Sequence, residues 1–238
     1  MKKFIFTLVV VCLCGVEANA ASRAFLLSQC KKMMREHPAE ISISYNYGAL
    51  ELNHTKDSAY LAKLQQSIMK NTISEGVIEG LTTLFSYFEV SVSVSAAELY
   101  SGYNCFFPQK VNIKIGYTKP VLYIAKHLEK GTCNYQRTMR HEIVHLDFGQ
   151  IAMNMFAQNL KEHVPSIVQS VDVYVSREKS AEQASQKMYN ECVRRMTPMF
   201  EQFKADLAEQ NALIDSKENY RQKRSSKKFR HSLMLSTA

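Results

Sequence analysis

Residues 140–149 read RHEIVHLDFG. Five of them, His141-Glu142-Ile143-Val144-His145, have the types and spacing that can do chemistry. On an α-helix, residues i and i+4 lie one turn apart on the same face, so the imidazoles of His141 and His145 can reach one ion. Zinc takes imidazole nitrogens at about 2.0–2.1 Å in a tetrahedral arrangement. Glu142 follows the first histidine and reaches the solvent side of such an ion without ligating it. A carboxylate there can take a proton from water activated by the metal and hand it on to a leaving amine. Glutamine would keep the shape and lose that chemistry. The pattern therefore predicts a Zn2+ site with His141 and His145 as ligands and Glu142 as general base and acid.

The third ligand is not in the motif. A metzincin extension requires glycine three residues after the second histidine and a ligand three further on. Those places hold Phe148 and Ile151, which excludes that class. A glutamate arriving from a second helix is another known solution, and Glu178, Glu182 and Glu191 are available for it. Taken singly, each is read more simply as part of a solvated helix face. Glu162 is too far along the same helix to fold back, and His163 reads as an exposed helix-end residue.

The elements that must position these residues can be traced from hydrophobic period and breakers. Arg137, Thr138 and Met139 lead into the motif without a breaker. Ile143, Val144, Phe148, Ile151, Ala152 and Met155 give it an apolar face, so residues 135–163 read as a core-packed helix. Pro165 should interrupt it, and 166–175 is β-branched and ambiguous. Residues 177–214 are helical in pattern, with an interruption expected at Pro198. Earlier, residues 22–36 have helical spacing and stop before His37-Pro38. Strict alternation marks a strand within 41–52. Asp57-Ser58 can cap a helix over about 58–70, with Tyr60, Leu61, Leu64 and Ile68 as its stripe. Strand patterns recur at 84–96, 111–117 and 121–125. The prediction is an α+β fold: a small antiparallel sheet with a helix in a β-rich half (40–125), then the HExxH helix and long helices in a helical half (133–220). Residues 21–220 form a single domain in this reading.

The ends of the chain differ from its body. Lys2 and Lys3, the apolar run 4–15 and the small residues Ala18 and Ala20 have the order of a secretory signal peptide over 1–20. The run is too short for a membrane anchor. The chain is thus expected to be exported, to the periplasm or beyond. Four cysteines then remain in an oxidising compartment, Cys30, Cys105, Cys133 and Cys192, and two disulfides are expected. The pairing preferred from sequence is Cys105 with Cys133 and Cys30 with Cys192. The formal net charge of +8 is also unevenly placed. Residues 221–238 hold six Lys or Arg and no acid, and without this tail the mature body is only about +1. The tail reads as a solvated end that can also attract an anionic envelope surface. Specific nucleic-acid binding is not expected.

Cys133-Asn134-Tyr135, then Thr138, then HExxH, resembles a bacterial family of predicted secreted zinc-dependent proteases whose function is unknown. Gly80-Leu81-Thr82 and the late segment Leu213 to Tyr220, built around Asp215, extend the resemblance over most of 40–220. It implies a signal peptide, a small β-rich first half, a zincin-like helical second half and a protein or peptide substrate. Many relatives end the late segment in Thr-x-His-Gly, where this chain has Glu218, Asn219, Tyr220 and Arg221. If that histidine completes the metal site in relatives, the role falls here to Tyr220, Glu218 or Asp215, or to none. Tyr135 and Tyr220 can also steady a developing oxyanion, although packing is the simpler role for both. The competing expectation is an exported, non-catalytic envelope-binding protein with a structural or vestigial metal site.

Overall fold

The computed structural model describes residues 23–69, 77–99, 102–177 and 180–216; the predicted leader and the basic tail lie outside them. The described elements are α1 (residues 23–36), β1 (Glu40–Asn46), β2 (Glu51–Asn53), α2 (Ser58–Met69), β3 (Gly80–Thr83), β4 (Ser86–Glu98), β5 (Asn104–Tyr117), β6 (Val121–Ile124), α3 (Cys133–Gln169), β7 (Tyr174–Ser176) and α4 (Ala181–Ile214). The class is α+β, as the hydrophobic periods predict. No helix among the described residues is long and apolar enough to cross a membrane.

The chain forms two compact units, each assembled from three stretches. Among the described residues, the first takes those within 1–45, 88–115 and 157–198; the second takes those within 46–87, 116–156 and 199–238. In the first, Cys30, Met34, Cys105, Phe107 and Val173 form an apolar cluster. A four-stranded sheet runs in the order β1-β5-β4, and β7 adds antiparallel to the start of β5, with Cys105 opposite Val175. In the second unit, a three-stranded sheet runs β2-β6-β3. Its middle strand buries Leu122 and Ile124 against Leu128, Tyr135 and Met139.

The single antiparallel sheet expected from sequence is therefore replaced by two sheets, and the second is mixed. β3 runs antiparallel to β6, but β2 runs parallel to it, with Glu51 opposite Val121. Parallel pairing needs a connection of a dozen or more residues, and α2 and three strands lie between β2 and β6. Strand alternation carries no information on that choice.

Two helix breaks expected from sequence do not occur. α3 continues through Pro165 and α4 through Pro198. Each proline removes one helical N–H donor. A neighbouring hydroxyl adds a bond to the preceding turn in each case: Ser166 Oγ to the His163 carbonyl at 2.8 Å and Thr197 Oγ1 to the Val193 carbonyl at 2.7 Å. Leu160, Val164 and Val168 are buried on one side of α3, and Met188, Cys192 and Met196 on one side of α4, so packing favours continuation.

The preferred disulfide pairing is also corrected. Cys30 bonds Cys105, while Cys133 is an exposed free thiol and Cys192 a buried one. α1 and β5 bring Cys30 and Cys105 into the same apolar cluster, with Cα atoms 5.4 Å apart, a normal disulfide separation. Burial pushes the Cys192 thiol up to about 11, so it is a protonated, inert thiol near neutral pH.

Candidate metal centre

Thr132 starts the helix that carries the motif. Its Oγ1 accepts the Tyr135 N–H at 3.3 Å, an N-cap for α3. Tyr135 and Met139, one turn apart, pack on the β6 side chains and fix the helix against the second sheet. Further along, Phe156 stacks on Phe203 of α4 with ring centroids 4.7 Å apart, and Phe200 joins them at 6.0 Å. This aromatic group sets the last turns of α4 against α3.

The result is a convergence of three ligand atoms. His141 Nε2 lies 2.9 Å from Asp215 Oδ1, His145 Nε2 lies 3.0 Å from the same oxygen, and the two Nε2 atoms are 3.2 Å apart. A tetrahedral zinc with ligands at about 2.0–2.1 Å separates them by about 3.3 Å, so the triangle is slightly smaller than a zinc site needs. An adjustment of a few tenths of an ångström, small on the scale of side-chain rotations, would fit the ion. His141, His145 and Asp215 thus form a group able to hold a metal ion. Asp215 follows the last residue of α4, where the helix dipole presents its negative end and also favours a cation.

The charge on Asp215 suits ligation, and the raised pKa of His145 means that a bound ion would displace a proton from this ring. Burial pushes the Asp215 carboxyl up, but its hydrogen bonds to His141 and His145 outweigh this and hold it well below the usual carboxylate range. Asp215 is therefore an anion at neutral pH. His145 Nδ1 donates to Asn211 Oδ1 at 2.8 Å. In a neutral imidazole that bond places the single proton on Nδ1 and leaves the Nε2 lone pair facing the other two ligands. Burial alone would lower the His145 pKa; the hydrogen bond and charge of Asp215 win and raise it.

Glu142 is 4 % exposed, next to histidines that are 8 % and 7 % exposed. Burial pushes its carboxyl upward, opposed by the charges of His145 and His141 and by a hydrogen bond from Thr82. The group opens onto a cleft of about 1050 Å³, whose lining includes Thr82, Leu84, Arg137, Lys204 and Leu207. A buried carboxylate beside a candidate cation in a cleft is an arrangement suited to proton transfer.

Of the third-ligand candidates, Asp215 joins the histidines. Glu191 does not: Arg194 and Arg195 hold its carboxylate at 2.6–2.9 Å and keep its pKa at about 2. Glu182 is exposed in the first turn of α4. Glu178, Glu218 and Tyr220 lie outside the described residues. His163 is bonded to the Asn159 carbonyl of its own helix at 2.9 Å. Tyr135 is buried with its ring 5.2 Å from that of His54, in keeping with a packing role. Gly149 serves packing too: a Cβ there would meet Leu84 Cδ1 at 2.3 Å.

Sequence reasoning did not find Asn211. Its one signal is spacing, since Asn211 and Asp215 are i and i+4 on α4 as His141 and His145 are on α3. That signal becomes readable only once Asp215 is known to belong to the group. No protein-family model, curated protein or solved structure matches the chain.

Proposed function

We propose that the protein is an exported, zinc-dependent metallopeptidase with a zincin-like arrangement, acting on protein or peptide substrates. The observation that carries this reading is the convergence of His141, His145 and Asp215 within 3.2 Å of one another, with the Glu142 carboxyl buried beside them. When bound, zinc is a Lewis acid that polarises a peptide carbonyl and makes water acidic near neutral pH. His141, His145 and Asp215 would hold the ion. Asn211 keeps the His145 lone pair directed at it. Glu142 accepts the proton of the attacking water at its carboxylate and delivers it to the leaving amine. Two histidines and a carboxylate also suit non-haem iron; the buried carboxyl beside the triad is what favours hydrolysis. The Cys30–Cys105 disulfide supports an oxidising compartment and hence export.

Metal analysis of protein purified without a histidine tag tests the reading. About one zinc per chain is expected, lost in His141→Ala together with cleavage of an unfolded protein such as casein. A zinc-loaded wild type that cleaves nothing across neutral pH would reject the peptidase reading and favour the binding-protein alternative.

A further inference from the structure

β3 presents Gly80 and Thr82 to Glu142. The two residues are two apart on one strand and therefore share a face. A Cβ at Gly80 would lie 2.5 Å from Glu142 Oε1 and 2.6 Å from Thr138 Cγ2, closer than real Cβ contacts come. Glycine is thus the residue that leaves the carboxyl its space. Thr82 Oγ1 lies 2.9 Å from Glu142 Oε2 and 3.0 Å from the Glu142 main-chain oxygen.

We propose that β3 is a cradle for the Glu142 carboxyl, with Thr82 as a positioning residue and Gly80 as the gap that admits it. The proposal rests on the reading of Glu142 as the proton-transfer group. Thr82 has one hydroxyl proton and two acceptors in reach, so it serves one at a time. It donates to Oε2 while Glu142 is a carboxylate. The long glutamate side chain gives up its rotamer freedom on folding into this cradle, so it is already in place for proton transfer. Thr82 touches neither the three ligand atoms nor the reacting bond in this scheme; it acts through Glu142.

The experiment compares Thr82→Val, which keeps the shape and removes the hydroxyl, with Thr82→Ser, which restores it. With a peptide substrate, Thr82→Val should lower kcat about 10- to 100-fold with KM and zinc content unchanged, and Thr82→Ser should recover most of the loss. Gly80→Ala, a second variant acting on the opposite carboxyl oxygen, should also lower kcat while zinc is retained. It carries the test if Thr82→Val does not fold. A measurement without turnover is the affinity of the zinc-loaded protein for acetohydroxamate, which chelates the metal and donates a hydrogen bond to a neighbouring carboxylate. That affinity should fall in Thr82→Val, as in Glu142→Gln, and return in Thr82→Ser. Unchanged kcat and unchanged hydroxamate affinity in Thr82→Val overturn the proposal, as does a loss that serine fails to rescue. A wild type that cleaves nothing but shows the hydroxamate pattern rejects the peptidase reading and leaves the cradle standing.

Discussion

The two compact units hold themselves together by different means. The first is stabilised by apolar contact and a covalent tie: the cluster around Cys30, Met34 and Phe107 closes over the Cys30–Cys105 bond. The second has a stacked aromatic group and a small β6 core, and it contains every buried polar or charged residue among those described: Thr83, Thr138, His141, Glu142 and His145. Burying such groups is unfavourable unless each is bonded, and even then an apolar substitute is often no worse. A fold that gathers its buried polar groups in one place and keeps the other interior apolar separates stability from chemistry. Sites that need strained or poorly solvated groups are where a protein accepts that loss.

The contrast can be broken most strongly at Glu142. Glu142→Gln should retain zinc and lower kcat/KM by about 10²–10⁴-fold, while the thermal midpoint falls little. Steady-state kinetics with parallel metal analysis checks this, and retained cleavage in that variant would end the proposed role. The first unit has its counterpart in the disulfide. Cys30→Ser with Cys105→Ser should destabilise the protein by about 2–4 kcal/mol in denaturant titrations. Hydrogen exchange should rise in residues 104–113 more than in 135–145. Chelation by EDTA should produce the reverse pattern, and identical patterns for the two treatments would mean that the units do not differ in this way. Asn211→Ala removes only the partner of His145 Nδ1. It should weaken zinc affinity about 10- to 100-fold in competition with a chromogenic chelator, with little effect on folding.

The smallest effect is expected at Glu191. Its folded pKa of about 2 lies below the ordinary 4.5 because of hydrogen bonds from Arg194 and Arg195. The stabilisation is therefore present above pH 4.5 and is lost as pH falls from there through 2. The pair is solvent-accessible, so the effect is slight. Glu191→Gln should lower the melting midpoint a little at pH 7, and the difference should shrink progressively as the pH is lowered below 4.5.

What could be read from the sequence follows from range. His141, Glu142 and His145 are legible because a helix converts a local spacing into a shared face. Asp215 was one of several candidates, since 74 residues separate it from His141 and no local rule spans that distance. Thr82 and Gly80 stood out only through a family resemblance, because a strand's neighbour across a helix leaves no local trace. The disulfide was misjudged for the same reason: pairing depends on which elements meet, and Cys30 meets β5. The prolines misled differently. The intrinsic penalty of Pro165 and Pro198 was real but smaller than the packing of the apolar stripes around them. Strands β1, β4, β5 and β6 were legible from alternation, whereas β3, β7 and the parallel partnership of β2 and β6 were not.

The distance along the chain between His141 and Asp215 also has a consequence in time. During synthesis the two histidines emerge long before the carboxylate that completes their site. At about 5–20 residues per second, the interval is roughly 4–15 s. Through that interval the HExxH segment offers its two imidazoles without the Asp215 carboxylate, a weak and unselective pair of ligands. Binding of an ion by all three residues would therefore have to wait until the end of α4 has been made and the Phe203 ring has stacked on Phe156. An ion held by all three residues would then report that the unit is finished, because no partly made chain can bind it in the same way.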